Sequence, residues 1–389
     1  MKKIVMIQHC GTVTGSGLGL LTTAQMLRDR FEIVVYCEDN PHGMVEVFRS
    51  NGFNVKPLPA KLPLLMYYNG GPKLLTRTCL GALREYKAYV PKWKEILEKE
   101  APDYLLVNSL VLSWMYRCVE GTKCRSIIHI REVLRSKKTV YGKKMLEDIR
   151  HFDSVWFISE NEKERYGLPE SQCVIVRDCM EKEFIKPSFS ENDSSKNFTV
   201  LYVGGMSKLK GFPTLMKAVN YLNKDVSVVV AGNMSLKKPQ LNISNLLYFG
   251  RFLNYYKSRR LYNQGKNNVQ IHFIGFCDDL SKLYRECDVL VFPSYKGHQA
   301  RPAFEVGFYG KPVIISDFPD TSDNIINGIN GLTFNPNNAK SLADRINYLS
   351  KNPLVCKTLG EKNKQMAEAR HTYETVKQSV DNYFDNGEA

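Results

Sequence analysis

A glycine cluster in the second half of the chain has the residue types that hold a phosphate group. The segment Val203–Gly211 reads VGGMSKLKG and follows a predicted strand. Its glycines let the backbone approach a ligand closely, and its lysines can neutralise an anion. It is not a Walker A loop, because Phe212 follows where Lys-Ser or Lys-Thr is required. The alternative interpretation is a solvated lysine at a tight turn. The candidate ligand-binding residues are Gly204, Gly205, Ser207 and Lys210.

A second glycine cluster, Gly11–Gly19 (GTVTGSGLG), follows the first predicted strand. Gly15 and Gly17 begin a dinucleotide-type fingerprint, but Leu20 stands where its third glycine belongs. Glu38 ends the second predicted strand, about where a dehydrogenase places its ribose-binding carboxylate. Three interpretations remain open: an NAD site, a structural turn, and a loop that faces a cleft between domains.

The elements that must position these residues follow an alternating pattern of strands and helices. In the first half the predicted strands are Lys3–Ile7, Phe31–Cys37, Phe53–Leu58, Tyr104–Val107, Ser126–His129 and Ser154–Ile158. In the second half they are Phe198–Val203, Val226–Ala231, Gln270–Ile274, Asp288–Phe292 and Pro312–Ser316. Strands that are apolar almost throughout indicate parallel sheets covered on both faces. The chain is therefore predicted to be an α/β protein with two Rossmann-like, doubly wound domains.

The length of 389 residues also favours two domains, since single cores stop growing at about 250–300 residues. The polar segment 186–197 (KPSFSENDSSKN) is predicted to be the linker. It separates an N-terminal domain over 1–185 from a C-terminal domain over 198–370. The last segment, 371–389, is predicted to be a helix that packs back toward the N-terminal domain. Two such domains in tandem commonly bind a ligand in the cleft between them.

Further motifs follow in a fixed order in the second half. They are Ile274-Gly275-Phe276, Asp288–Ser294, Gly297–Glu305, Gly310–Ile314 and Asn327–Leu332. With the Val203–Gly211 segment, this ordered set resembles the retaining glycosyltransferases of family 4. The resemblance covers most of the chain and is strongest from Val203 to Leu332. It implies the GT-B fold, in which two Rossmann-like domains face a central cleft, with the acceptor side in the first domain and the nucleotide sugar in the second.

The resemblance also implies roles for residues of the second domain. Glu305 is expected to accept hydrogen bonds from the ribose hydroxyls of a nucleotide sugar, although a helix N-terminus would also favour a carboxylate there. Lys210 is expected to neutralise the departing diphosphate. Gly275 and Phe276 are expected to seat the base. The segment at the phosphates and donor sugar is expected to comprise Gly297, His298, Gln299, Ala300, Arg301 and Pro302.

In the first domain, the resemblance assigns His129 to the active-site histidine that contacts the donor sugar. His129 ends a predicted strand, and ligands bind at that end of the strands in open α/β sheets. The alternative is a histidine satisfied within the core. If His129 has this active-site role, Gly15 and Gly17 are expected to face the donor phosphates and the acceptor.

Two positions depart from the family pattern. Gly297 stands where the family usually has a Glu, and Gly205 stands where it usually has an Arg. We expect His298 to replace the lost contact with the sugar and Arg301 to replace the lost charge on the diphosphate. Restoring the arginine at position 205 is therefore expected to compensate in part for loss of Arg301.

Composition narrows the partners. No histidine or carboxylate spacing predicts a metal site, so no metal and no cofactor are expected. Between residues 51 and 150 there are 19 Lys or Arg against 9 Asp or Glu, which favours an anionic partner.

The segments 61–77 and 234–266 mix basic and aromatic residues, which suits a membrane surface, a plain amphipathic helix or, less well, single-stranded nucleic acid. No apolar run approaches the ~18–20 residues that cross a bilayer. Ten cysteines without a CxxC pair fit the reducing cytoplasm. The basic charge and the family resemblance together favour peripheral contact at the cytoplasmic membrane face.

The resemblance therefore implies a metal-independent, retaining glycosyltransferase. It would move a sugar from a UDP- or GDP-linked donor to a glycan or lipid-linked acceptor, in surface polysaccharide biosynthesis. Two alternatives remain: a partner subunit that binds the nucleotide sugar without turning it over efficiently, and an epimerase or phosphorylase on the same fold.

Overall fold

The structure, a computed structural model, describes residues 1–59, 62–69, 71, 77–180, 197–234, 249–266, 268, 270–277, 279–297, 300–321 and 323–386. Most of the predicted linker 186–197 therefore lies outside the described residues. The chain divides into two compact units. The first comprises Met1–Cys179 with Tyr373–Ala389, and the second comprises Met180–Thr372. The two-domain α/β prediction is confirmed.

The first unit is built on a seven-stranded sheet. Its strands are β1 Lys2–Gln8, β2 Phe31–Cys37, β3 Asn54–Pro57, β4 Tyr104–Val107, β5 Arg125–Ile130, β6 Ser154–Phe157 and β7 Cys173–Ile175. Its helices are α1 Gly15–Leu27, α2 Met44–Ser50, α3 Arg77–Glu100, α4 Val140–Arg150, α5 Glu160–Tyr166 and, from the end of the chain, α12 Tyr373–Asn386, with 3-10 segments at Leu110–Cys118 and Glu170–Gln172. The strand order is β3-β2-β1-β4-β5-β6-β7, and every pair is parallel.

The second unit is built on a six-stranded sheet. Its strands are β8 Phe198–Val203, β9 Val226–Ala231, β10 Ile271–Gly275, β11 Val289–Phe292, β12 Val313–Ser316 and β13 Gly331–Phe334. Its helices are α6 Phe212–Ala218, α7 Phe249–Lys266, α8 Ser281–Glu286, α9 Arg301–Glu305, α10 Ala339–Lys351 and α11 Pro353–Arg370, with 3-10 segments at Val219–Tyr221, Val306–Tyr309 and Pro319–Thr321. The order is β10-β9-β8-β11-β12-β13, again parallel throughout.

Both sheets are covered on two faces, as their apolar strands require. Residues Ile4 to Ile7 of β1 are fully buried, because helices lie on either side of this central strand. The C-terminal helix α12 belongs to this core. The ring of Phe384 lies 4.8 Å from that of Phe31 and 5.1 Å from that of Tyr104, measured between ring centroids. A segment distant in sequence therefore closes one face of the first sheet.

Each sheet has one point where the strand order reverses direction. These switch points lie between β1 and β4 in the first unit and between β8 and β11 in the second. Loops that leave the carboxyl ends of the two strands diverge there and leave a crevice, which is where ligands bind in open α/β sheets. Ligand-binding residues are therefore expected in the segments after β1, β4, β8 and β11.

Candidate active site

In the second unit, the loop after β8 carries Lys210, and the segment after β11 leads into α9, which carries Arg301 and Glu305. Together with Tyr284, these three residues form a polar cluster, and Glu305 contacts two of the other members. Its Oε2 accepts a hydrogen bond from the Tyr284 hydroxyl at 2.7 Å, and its Oε1 accepts one from Arg301 Nε at 3.0 Å. The Glu305 side chain is 15% exposed. An ionised carboxylate has about four acceptor positions, so Glu305 retains capacity for the two hydroxyls of a ribose.

Tyr284, on α8, fixes the orientation of this carboxylate. Its side chain is 2% exposed, and burial together with Glu305 raises the pKa of its hydroxyl well above the usual value. Tyr284 therefore remains protonated and donates at every physiological pH. The sequence analysis missed this residue; its only signal was a tyrosine on the helix that precedes β11.

Lys210 lies within the electrostatic reach of Glu305 and is half-buried. Burial lowers the pKa of Lys210, and the negative charge of Glu305 opposes that shift. A partly desolvated cation interacts more strongly with an incoming anion than a solvated one does, because the local dielectric constant is lower. Lys210 is thus suited to a diphosphate.

The conformation of the loop after β8 depends on Gly211. Its φ is +91°, and a Cβ at this position would lie 1.7 Å from the carbonyl oxygen of Pro293. Only glycine permits the loop to approach the end of β11 this closely. Within the loop, Ser207 Oγ accepts a hydrogen bond from the Lys210 amide at 3.3 Å. Ser207 therefore shapes the turn that presents Lys210, whether or not it also contacts a ligand.

The two glycines before this loop are used differently from the expectation. The amides of Gly204 and Gly205 both donate to the carbonyl oxygen of Ala231, at 3.0 Å and 2.9 Å. Their hydrogen-bonding capacity is therefore directed into the protein and away from a phosphate. At Gly205 φ is +53°, and an added Cβ would lie 2.3 Å from the carbonyl oxygen of Asn233. An arginine at position 205 would not fit this turn, so the expected compensation for Arg301 is not supported.

Arg301 also differs from the expectation. Its Nε donates to Glu305, so part of its charge orients that carboxylate. One quarter of the Arg301 side chain is exposed. Pro302 follows in the first turn of α9 and is half-buried.

The remaining predicted donor residues of the second unit fall into two groups. Gly275 has a φ of +87° at the end of β10 and is followed by Phe276, whose side chain is 75% exposed and open to stacking. Gly297 and Ala300 are buried, so only their backbone atoms are suited to a ligand contact. His298 and Gln299 lie outside the described residues.

In the first unit, His129 is fully buried at the end of β5. Its Nε2 lies 3.1 Å from the carbonyl oxygen of Val176 and must donate to it, so Nδ1 accepts from Arg131 at 3.3 Å. Burial and the adjacent Arg131 lower the pKa of His129 well below its usual value. The histidine is therefore neutral, and both of its nitrogens are satisfied. This arrangement supports the alternative of a histidine satisfied within the core.

Arg131 joins a polar network that the sequence analysis did not identify. Its Nε donates to Asn108 Oδ1 at 2.7 Å, and its guanidinium forms an ion pair with Asp178. Asn108 in turn donates to Gln8 Oε1 at 2.8 Å, and both residues are fully buried. Gln8 ends β1, Asn108 and Arg131 directly follow β4 and β5, and Asp178 lies three residues after β7, so the network begins at the switch point of the first sheet. The available signal was a polar residue at or just after the end of an apolar strand.

His9, also at the switch point of the first sheet, is a second residue that the sequence analysis missed. It directly follows β1, and its Nδ1 is buried without a hydrogen-bond partner among the described atoms. Burial lowers the pKa of His9, while the carboxylates of Glu132 and Glu38 oppose the shift. Glu132 is held by the Ser109 hydroxyl at 2.6 Å and the Leu110 amide at 3.0 Å. A neutral imidazole beside two carboxylates is suited to accept a hydroxyl proton.

In the glycine cluster Gly11–Gly19, residues 15–19 lie inside α1, because Thr14 caps that helix by accepting from the Gly17 amide. Gly17 is buried, and a Cβ on it would lie 2.7 Å from Met44 Sδ, so its missing side chain serves packing. Gly15 is exposed at the helix start. The Glu38 carboxylate accepts from the Gly11 amide at 3.0 Å. Glu38 thus closes the loop, which favours the structural interpretation over an NAD site.

Among the described residues, no group of three or more His, Cys, Asp or Glu is placed to hold a metal ion. Within the same part of the chain, no helix is both long and apolar enough to cross a membrane.

Comparison with known proteins extends these observations. Residues 183–369 match the family described as glycosyl transferases group 1. The N,N'-diacetylbacillosaminyl-diphospho-undecaprenol alpha-1,3-N-acetylgalactosaminyltransferase of Campylobacter jejuni is 32% identical over 83 residues, 21% of this chain and 22% of that protein. An uncharacterized glycosyltransferase of Methanocaldococcus jannaschii is 23% identical over 292 residues, 74% of this chain and 67% of that protein. The chain thus spans about a fifth of the first relative and two thirds of the second.

Among solved structures, Anabaena HepE in complex with UDP-glucose has a TM-score of 0.76 and 16% identity, and the match covers 99% of this chain and 100% of that one. At this identity the similarity concerns the fold. The family match covers most of the second unit, where the Lys210–Glu305 cluster lies, and the fold match covers both units. Residues 183–369 of this chain are therefore similar to the group 1 glycosyltransferases, and the chain has the GT-B fold.

Proposed function

We propose that this protein transfers a sugar from a UDP- or GDP-linked donor to a glycan or lipid-linked acceptor, with retention at the anomeric carbon and without a metal ion. The observation that carries the proposal is the cluster of Glu305, Tyr284, Arg301 and Lys210 at the switch point of the second sheet. It combines an oriented carboxylate for vicinal hydroxyls with a desolvated cation for a diphosphate. Both lie where an open α/β sheet binds its ligand.

Each residue has a defined task in this reaction. Glu305, oriented by Tyr284, accepts hydrogen bonds from the ribose hydroxyls and so holds the nucleotide in place. Phe276 offers an exposed ring to the base. Lys210 stabilises the negative charge that develops on the diphosphate as its bond to the sugar breaks. The acceptor hydroxyl attacks from the face that the diphosphate leaves, and the departing phosphate takes its proton, which gives retention.

A lipid-linked acceptor and a role in surface polysaccharide synthesis belong to the same proposal. Support comes from the Campylobacter jejuni relative, whose name states a diphospho-undecaprenol acceptor, and from the basic segment 51–150. Contact with the cytoplasmic face of a membrane would bring such an acceptor to the first unit.

A turnover screen tests the proposal. Purified protein is incubated with UDP- and GDP-sugars, with and without a chelator, and release of nucleoside diphosphate is measured. We expect slow hydrolysis of one donor, unaffected by the chelator, and an α-linked product from an α-linked donor once an acceptor is supplied. Inversion, or loss of activity with the chelator, would contradict the mechanism.

One observation favours a second candidate, a partner subunit that binds the nucleotide sugar without efficient turnover. Gly205 lacks the arginine that the family pattern leads one to expect, and its turn has no space for a side chain. In the same screen, donor binding without detectable hydrolysis or transfer would support this second function.

A further inference from the structure

The second unit contains a basic cavity that the proposed reaction does not use. It has a volume of about 430 Å³ and lies between α6 and α7, below the loops that follow β8, β11 and β13. The two helices are in close contact at Gly265, where a Cβ would lie 2.6 Å from Met216 Cε. Lys217 on α6 and Lys257 and Arg260 on α7 line the cavity, together with Lys208.

The charge of this cavity is unbalanced. Four of its lining side chains are cationic, and none of the described residues that line it is acidic. The ammonium group of Lys208 lies 4.8 Å from the centre of the Tyr295 ring, so an aromatic face supports part of the charge. Like charges gathered around one cavity repel one another, and a bound anion relieves that repulsion.

The other lining groups indicate which anion fits. Thr214 and Ser258 are buried residues that line the cavity with hydroxyl groups, and Gln264 and Asn337 add amide donors. A phosphate has the several oxygen acceptors that such a set requires, and the arginine fork pairs with two of them. Leu261 and Pro213 provide apolar contact for a small organic group. The volume is at the lower end for small-molecule sites and is too small for a nucleic acid duplex.

The cavity is distinct from the candidate donor site. Lys208 and Lys210 belong to the same loop, but Lys208 contacts Tyr295, whereas Lys210 lies in the field of Glu305. Neither Lys210, Arg301 nor Glu305 lines the cavity. A ligand bound there would therefore not occupy the position proposed for the nucleotide.

We propose that this cavity, defined by Lys208, Lys217, Lys257, Arg260 and Tyr295, is a second binding site for a phosphate group carried on a small organic molecule. The same chemistry is offered by a soluble phosphorylated metabolite and by the phosphomonoester head group of a lipid. The site is independent of sugar transfer, so the proposed function can fail while this inference holds.

Site-specific acetylation provides the test. The acetylation rates of Lys217 and Lys257 are followed by mass spectrometry with and without inorganic pyrophosphate. Lys282, on α8 and 75% exposed in its side chain, serves as the internal reference. We expect pyrophosphate to slow acetylation of Lys217 and Lys257 several-fold and to leave Lys282 unchanged. The readout is local, so binding of pyrophosphate at Lys210 does not affect its interpretation.

Two adjacent arginines of α7 form a matched pair of variants. Both arginines are exposed, but only Arg260 lines the cavity. Arg260→Gln is expected to abolish the protection, and Arg259→Gln, with the same loss of charge, to retain it.

A parallel experiment replaces pyrophosphate with phosphatidylcholine vesicles, prepared with and without phosphatidic acid. Protection by pyrophosphate identifies a soluble ligand, and protection only by phosphatidic acid vesicles identifies a lipid. Unchanged rates with both probes, or equal loss in both variants, would overturn the proposal.

Discussion

At the scale of single residues, Lys210 shows a conflict between binding and stability. Burial lowers its pKa more than Glu305 raises it, so the charged form destabilises the folded protein in the absence of ligand. We expect Lys210→Met to raise the Tm of the free protein and to weaken UDP binding. Thermal denaturation and calorimetry measure the two effects. Lys224→Met, which removes the same charge from an exposed position, should change neither.

The lowered pKa of Lys210 also predicts how the stability of the protein changes with pH. The folded-state pKa of Lys210 lies below the ordinary value of 10.5, so the unfolded chain holds more protons between the two values. Stability therefore increases as pH rises through that window. The Lys210→Met variant should lack this increase, and an identical alkaline profile in both proteins would contradict the assignment.

His129 is expected to affect the stability of the folded protein at acidic pH. Its pKa is depressed by burial and by Arg131, so the unfolded chain binds a proton at a pH where the folded chain does not. Stability should fall as pH decreases below about 6.5, by up to about 1.4 kcal/mol per pH unit for one such group. We expect His129→Gln to reduce this slope, because its amide can donate to Val176 and accept from Arg131. Denaturant unfolding between pH 5 and 7 tests the expectation, and the slope will persist in part because His9 is also depressed.

At the scale of elements, Gly205 connects β8 to the loop that presents Lys210. A left-handed residue with a side chain costs about 1–2 kcal/mol, and at Gly205 the added Cβ would also meet the backbone of Asn233. Gly205→Ala should therefore destabilise the protein more than Gly328→Ala. Gly328 has a φ of +77° but nothing within 4 Å of an added Cβ, so it isolates the conformational cost. Equal losses in denaturant unfolding would show that the turn can relax.

Most strands were predictable from sequence, and the exceptions have physical reasons. Runs such as Phe31–Cys37 and Tyr104–Val107 coincide with β2 and β4, because valine, isoleucine and leucine dominate strands buried on both faces. Cys173–Ile175 was missed because three residues carry too little pattern, and Gly331–Phe334 (GLTF) was missed because only two of its four residues are large and apolar. The helical periodicity of Ser109–Val119 corresponds to a 3-10 segment over Leu110–Cys118.

Site residues were harder to assign, because spacing does not report where a group points. A glycine pattern cannot show that the Gly204 amide is satisfied by Ala231 or that Gly17 lies beneath Met44. Likewise, the position of His129 at a strand end did not reveal that Val176 and Arg131 occupy both ring nitrogens. Tertiary hydrogen bonds decided these cases.

At the scale of the whole molecule, the net charge of +14 is concentrated in segment 51–150. Exposed charges act over about 8–10 Å at physiological salt, so binding to an anionic surface should weaken as salt is raised. We expect the protein to float with vesicles that contain phosphatidylglycerol and to remain in solution with pure phosphatidylcholine. Equal partitioning to both vesicles would contradict a membrane role, and a preference for RNA would favour nucleic acid.

The measurement that tests the central claim most directly is calorimetric titration of UDP and GDP into wild-type protein and Glu305→Gln. The account predicts that one nucleotide binds and that the variant loses about 1–3 kcal/mol of binding free energy, a weakening of about 5- to 150-fold. Glu286→Gln, on the exposed side of α8, is the matched control and should bind as wild type does. Unchanged affinity in a folded Glu305→Gln variant would contradict the claim that this carboxylate holds the nucleotide.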